Sequence, residues 1–406
     1  MTYDPVSTEN EAKPITVCAR EPLPKWTEKS IFLAGPTPRD SHTSSWRPEA
    51  LRILGNLGYT GHVFIPEDRA GGFHGDYTDQ VEWETAALQM ADIIVFWVPR
   101  VMANMPALTT NVEWGVWGDS GKVVLGAPNS ATGMKYLKWQ ATQHHVPTYN
   151  SLGETLACAV NLVGDGALRE GGEAQVPLHI WKHPTFQGWY SNQKVAGNRL
   201  DGAQVLWTFR VGTKLQKVFA WAVHVDMYIA SEDRHKRNEF VLGRTDIAGV
   251  VLYNIDRNHP ENVDVVLVRE FRSPARTEDG FIVELPTGSI DHGKSPEETA
   301  IKELQEETGF VLPPDRLRLV NTRQVAGVLS AHTATIYSAE IDGKELDQVI
   351  ATMAVVRGEN PDEDDGERTT VVVGNLRNLL EGEYDLDWST LGMICAAVNS
   401  GQRHSW

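Results

Sequence analysis

The chain has 406 residues, more than one ordinary hydrophobic core accommodates and suited to two or three domains. Its hydrophobic share of 41% and charged share of 22% lie near globular averages, so most of it is expected to fold. A formal net charge of −17 argues against nucleic acid or an anionic membrane surface as the main partner, because both would repel it at long range.

Residues 1–28 are polar and carry Pro5, Pro14, Pro22 and Pro24, so a loosely held leader is expected. They lack the basic start and apolar core of a signal peptide. Cys18, Cys158 and Cys395 lie far apart without a CxxC pair, which suits a reducing compartment. The longest apolar run, Ile93–Val98, is too short to span a bilayer. These features together predict a cytoplasmic protein.

Residues 29–150 alternate short apolar runs with helical stretches. The runs are Ile31–Ala34, Val63–Ile65, Ile93–Val98 and Val123–Leu125, and Trp46–Leu57 and Thr78–Met90 read as helices. This pattern predicts an α/β domain with a doubly wound parallel sheet, whose ligands bind beyond the carboxyl ends of the strands. The segment FLAGPT runs a strand into Gly35-Pro36, where a sugar or phosphate can approach the backbone. Asp92, just before a strand, reads as a residue that caps or anchors the chain. Trp46, Trp83, Trp97 and Trp114 suit either stacking on a base or the core, and the core is the commoner fate.

Four further segments, SWRPEA, VFIPED, DQVEWETAALQMADIIVFWVPR and PALTTNVEWGVWGDSGKVVLGAP, complete a set that resembles the nucleoside 2-deoxyribosyltransferase-like family over residues 29–140. The resemblance implies that Glu113, in Asn111-Val112-Glu113-Trp114-Gly115, attacks the anomeric carbon of a nucleoside. It places Asn111 in the binding site and Glu84 against the leaving base, although Glu84 reads equally well as an exposed helical glutamate. Transfer to a second base and hydrolysis of the N-glycosidic bond both remain open.

Residues 151–176 are rich in glycine and small residues and read as a short helix and an inter-domain connection. From 177 to 406 the pattern is α+β. Strands are expected around Gln204–Arg210, Val218–Ile229, Gly249–Tyr253, Val263–Arg269 and Thr333–Ile341, and helices at Pro296–Thr308 and Ser389–Val398. The first helix has a serine cap at Ser295, proline in its first turn, glutamate at Glu298 and a terminating Gly309. Within it Glu303, Glu306 and Glu307 fall on one face. Three carboxylates so placed call for a hard divalent cation, magnesium with manganese as a substitute.

Read from Gly288, the segment GSIDHGKSPEETAIKELQEETGF resembles the Nudix box. Gly288, Glu303, Leu304, Glu306, Glu307, Gly309 and Phe310 fall in register; Lys294 replaces the family's first glutamate and Lys302 its arginine. Lys302 keeps a charge that can orient Glu303, without a bidentate fork. The preceding VVLVREFRSPARTEDGFIVELPTGSID resembles ADP-ribose pyrophosphatases, with a resemblance over residues 200–400.

The Nudix resemblance implies an α/β/α sandwich and a metal-dependent pyrophosphatase. Its metal set is Glu303, Glu306, Glu307 and the carbonyl of Thr287. The general base comes from the acidic stretch 359–368, with Glu363 and Glu367 as candidates. Arg269 and Arg272 are candidates for holding a terminal phosphate or ribose. Ala326 before Gly327 departs from the proline of ADP-ribose-specific members, so ADP-ribose leads among several nucleoside diphosphate substrates.

The combined expectation is a bifunctional enzyme, assembled as a homo-oligomer such as a dimer and acting on small nucleotides. An N-glycosidic cut of NAD by the first domain would supply ADP-ribose to the second. The alternative is a regulatory protein that senses a nucleotide without turnover.

Overall fold

The computed structural model describes residues 13–40, 42–69, 77–212, 217–291, 293–358 and 366–403. It divides into two compact units between Leu242 and Gly243.

The first unit is built on six parallel strands in the order β1-β4-β3-β5-β6-β7. They are β1 (Ile15–Cys18), β3 (Ser30–Ala34), β4 (His62–Ile65), β5 (Ile93–Trp97), β6 (Val123–Gly126) and β7 (Thr148–Tyr149). Between them run helices α1 (Arg47–Asn56), α2 (Tyr77–Met90), α3 (Leu108–Trp117) and α4 (Lys135–Gln143), and α5 (Leu152–Val163) follows β7. Successive strand residues face opposite sides, yet both sides are covered. Ile31, Leu33 and Val95 pack on Ala50 and Leu54 of α1 and on Leu156 and Ala159 of α5. Phe32, Ile94 and Phe96 pack on Ala87 of α2, Trp114 of α3 and Leu137 of α4. Double coverage explains why these strands read as unbroken apolar runs.

Three expectations need correction here. Residues 13–28 of the expected leader belong to the folded first unit. Its segment ITVC forms β1, which pairs with β4 from Ile15↔His62 to Cys18↔Ile65, and a small ladder joins β2 (Trp26–Thr27) to β8 (Arg169–Glu170). Polar composition concealed β1 because only its last two residues are buried.

Residues 151–176 do not separate two bodies. Helix α5 is capped by Ser151, whose Oγ accepts from Glu154 N at 3.3 Å, and buries Thr155, Leu156, Ala159 and Val163. The stretch 177–242 also belongs to the first unit. After α6 (Leu178–Trp181) and α7 (Pro184–Val195), an antiparallel sheet forms from β9 (Arg199–Val211), β10 (Lys217–Ile229) and β11 (Arg234–Arg244). Its Leu200, Trp221, Val223 and Val225 enter the same core as Ile31 and Leu33.

The second unit has a mixed sheet in the order β14-β13-β12-β17-β16, with β15 on β12 and β18 on β13. The strands are β12 (Ile247–Ile255), β13 (Val263–Phe271), β14 (Phe281–Glu284), β15 (Thr287–Ser289), β16 (Arg318–Gln324), β17 (Thr333–Glu340) and β18 (Thr370–Asn375). Only β12 and β17 run parallel among these pairs. Helices α8 (Pro296–Thr308) and α9 (Gly343–Ile350) cover one face through Ala300, Leu304, Leu346 and Val349. After α10 (Leu376–Glu381), α11 (Trp388–Arg403) covers the other face through Ile394, Ala397 and Val398. The result is the expected α/β/α sandwich. Among the described residues no helix is long and apolar enough to cross a membrane.

Candidate active sites

Helix α8 begins with a reciprocal cap. Glu298 N donates to Ser295 Oγ at 3.1 Å, and Ser295 N donates to Glu298 Oε2 at 2.9 Å. It ends at Gly309, whose φ of 72° is the left-handed conformation a glycine adopts readily. Its apolar stripe on the sheet fixes the rotation of the helix, and that rotation buries Glu307, which is 1% exposed.

Burial pushes the Glu307 carboxyl well above the usual carboxylate range, reinforced by the charges of Glu367, Glu303, Glu284 and Glu270. Its Oε2 is buried without a hydrogen-bond partner. Glu270 on β13 is likewise pushed up to about 7 by burial, against the opposing pull of Arg272. Five carboxylates from four parts of the chain thus share one field.

Arg272 answers part of that field. Its Nη2 lies 2.6 Å from Glu284 Oε1 and 2.8 Å from Glu270 Oε2, so this proposed substrate ligand is engaged within the protein. Arg269 pairs with Asp279 and covers the Phe281 ring at 4.1 Å. Lys302 serves Glu306 before Glu303: its Nζ stands 2.6 Å from Glu306 Oε2 and 3.8 Å from Glu303 Oε1. Thr287 sits on β15 opposite Gly249, where a Cβ would overlap the threonine side chain.

Among the described residues no three His, Cys, Asp or Glu side chains are drawn together closely enough to hold a metal ion. The donor set itself is all oxygen and includes the orphaned Oε2 of Glu307, which fits a hard divalent cation.

In the first unit a second charged centre lies at the carboxyl ends of β3 and β4. Arg47 is 1% exposed. Its guanidinium donates to Leu33 O at 3.2 Å, Gly35 O at 2.8 Å and Thr37 Oγ1 at 3.1 Å, and pairs with Glu67. Trp46 Nε1 donates to Pro36 O at 3.2 Å. The Gly35-Pro36 turn is therefore tied to the start of α1, and a Cβ at Gly35, whose φ is 149°, would overlap Trp97 O.

Glu113 on α3 and Glu84 on α2 feel the charge of Arg47. Burial, followed by repulsion from Glu84, pushes Glu113 up to about 7, with Arg47 opposing. Glu84 is also raised by burial, and its Oε1 accepts from Gln80 Nε2 at 2.6 Å. Asn111 accepts a hydrogen bond from Arg100 and is exposed. All four tryptophans named above lie in the core, at 8% exposure or less.

Residues 28–131 match the family model described as "Nucleoside 2-deoxyribosyltransferase like", and residues 243–378 match "NUDIX domain". The chain carries one domain of each family. A 46-residue stretch is 44% identical to an ADP-ribose pyrophosphatase of Bacillus subtilis (strain 168), covering 11% of this chain and 23% of that protein. An ADP-sugar pyrophosphatase of Mus musculus is 46% identical over 46 residues, or 11% of this chain and 20% of the relative. The chain thus spans less than a quarter of the length of these curated relatives. A solved mutT/nudix family protein from Listeria innocua covers 40% of this chain and 96% of its own, at 17% identity and a TM-score of 0.29.

Within the Nudix domain, Glu303, Glu307 and Glu367 share one electrostatic neighbourhood, whereas Glu306 turns to Lys302 and Arg269 to Asp279. Glu363 lies outside the described residues. Sequence reasoning missed Glu270, Glu284 and Arg47. Glu270 had a usable signal, since it continues the buried Val266, Val268 face of β13 and so places a carboxylate on an apolar stripe.

Proposed function

We propose that the Nudix domain hydrolyses the phosphoanhydride bond of a nucleoside diphosphate linked to another group, with ADP-ribose the leading substrate. The observation that carries this reading is the buried, partnerless Oε2 of Glu307 amid Glu270, Glu284, Glu303 and Glu367. A small nucleotide substrate suits the family.

Glu303, Glu306, Glu307 and the Thr287 carbonyl would hold magnesium, which supplies the positive charge a pyrophosphate needs beside so many carboxylates. Arg272 fixes Glu270 and Glu284. Glu367 takes the proton from the attacking water at its carboxylate, as general base, with Glu363 the other candidate. The test incubates the full chain with magnesium and a panel of nucleoside diphosphate compounds, reading products by mass. AMP and ribose 5-phosphate from ADP-ribose are expected. Absence of turnover on every compound would overturn the reading in favour of a nucleotide sensor.

For the first domain we infer cleavage of an N-glycosidic bond, supported by the half-buried Glu84 and Glu113 pair facing Arg47. Glu113, ionised, attacks the anomeric carbon, and Glu84 meets the departing base. Release of free base from a nucleoside or from NAD, lost in Glu113→Ala, is the expected outcome. No base released from any such substrate would remove this half of the proposal.

A further inference from the structure

Glu84 and Glu113 line a cavity of about 840 Å³ formed by α2, α3, β9 and the Pro177–His179 segment. Part of its lining is apolar, with Val112, Val116, Trp117 and Leu206. Another part is different in kind, with Ser120, Lys122 and His179 in the lining.

Arg210 borders this part of the lining through Gly121. It stands two residues beyond the lining Thr208, on the same side of β9. Its guanidinium lies against Gly121, the residue between Ser120 and Lys122, and a Cβ at that glycine would overlap it. Gly121 also has a φ of 72°, so both space and backbone favour glycine there.

Arg210 Nε and Nη2 are buried and have no hydrogen-bond partner, and the same is true of both ring nitrogens of His179. Among the described residues no carboxylate is paired with Arg210. Lys122 is spent as a donor, because its Nζ binds the carbonyls of Leu88, Gln89 and Ala91 at 2.7, 3.0 and 2.9 Å, but its charge adds to the local positive field. A buried guanidinium with two unmade hydrogen bonds is a costly arrangement unless an anion completes it. Its planar fork suits two oxygens of one oxyanion.

We propose that Arg210, His179 and Gly121, at the border of this cavity, form a binding site for a phosphate-type oxyanion carried by a small molecule. The apolar part of the lining then accepts the body of that molecule, with Glu84 and Glu113 in the same cavity. The same chemistry can come from free phosphate or from a phosphoester such as a nucleotide.

The test uses the full chain with EDTA present, which keeps divalent cations from the Nudix domain. Inorganic phosphate, pyrophosphate, adenosine 5′-monophosphate and adenosine are titrated by calorimetry, alongside spectra of nitrogen-labelled histidine rings. The His179 signal is identified by its loss in His179→Gln. The expected result is binding of the phosphate-bearing probes, movement of the His179 signal, and affinity weakened about tenfold or more in Arg210→Met. Adenosine 5′-monophosphate binding more tightly than phosphate assigns a phosphoester; equal affinity assigns free phosphate. If Arg210→Met fails to fold, movement of the His179 signal in the native chain decides. A His179 signal unmoved by all three phosphate-bearing probes, or unchanged phosphate affinity in a folded Arg210→Met, overturns the proposal.

Discussion

Gly288 leaves the space that the Glu303 carboxyl group occupies: a Cβ built at 288 would overlap that carboxyl. The glycine stands on β15 and the glutamate on α8, and their contact sets how closely helix and strand approach at the box. Gly288→Ala should therefore displace Glu303 while leaving the Leu304 side of the helix packed. The expected outcome is a fall in pyrophosphatase kcat of about a hundredfold or more, in keeping with the sensitivity of catalysis to small misplacements. Magnesium-dependent kinetics on ADP-ribose, with circular dichroism to check folding, would read it. Unchanged kcat would mean Glu303 tolerates another position.

Glu307 carries the highest stake in the same cluster. Burial and four neighbouring carboxylates oppose its ionisation. Glu307→Gln removes a like charge and keeps the shape. It is expected to raise the unfolding midpoint of the metal-free chain, to abolish the magnesium stabilisation proposed for the native chain, and to remove turnover. Thermal unfolding followed with and without magnesium checks all but the last. A variant that magnesium still stabilises as strongly as the native chain would displace Glu307 from the metal set.

How much of this could be read in advance depends on what each segment asks of its residues. Helix α8 was legible to the residue, because Ser295, Pro296, Glu298 and Gly309 act locally and mean the same thing in any fold. The parallel strands were legible because burial on both faces leaves continuous apolar runs. Helix α5 was legible as a short helix, but its glycine-rich continuation reads as an inter-domain linker although it lies within the first unit. Strand β11, RHKRNEFVLGR, is largely exposed and highly charged, so nothing in its composition calls for a sheet. The carboxylate cluster was half visible. Glu303, Glu306 and Glu307 are close in sequence, but Glu270, Glu284 and Glu367 join them only through the sheet and its return strand.

Asp92 shows the anchoring role expected of it, and its loss should be severe. Its carboxylate accepts from Ser30 N at 2.8 Å, from Ser30 Oγ at 3.0 Å, from both terminal nitrogens of Arg169 at 2.8 Å and from Leu178 N at 2.8 Å. Both partners of this ion pair are almost wholly buried. Asp92→Asn would leave the guanidinium uncompensated, at a cost of about 3–5 kcal/mol. All of the thirteen tryptophans except Trp388 and Trp406 precede residue 243, so urea unfolding followed by tryptophan fluorescence reads the first unit. A loss below about 1 kcal/mol would show that the anchor is dispensable.

The Glu113 carboxyl links function to a pH window. Its folded-state value is pushed up to about 7 from the ordinary 4.5, first by burial and then by Glu84, against the lowering effect of Arg47. Between these two values the folded chain keeps a proton that the unfolded chain has given up, so this group makes stability fall as pH rises. The loss begins near 4.5, accumulates up to about 7 and is complete above it. Glu113→Gln removes the titration. The variant should match the native chain near pH 4.5 and exceed it above pH 7, by about 1–3 kcal/mol. Base release, by contrast, needs the ionised carboxylate, so in the native chain it should rise through the window in which stability declines, and it should vanish in the variant. Fluorescence-monitored urea unfolding across the window, paired with a base-release assay on the same samples, tests both arms. A variant whose stability tracks the native chain at every pH would show that Glu113 ionises as freely when folded as when unfolded.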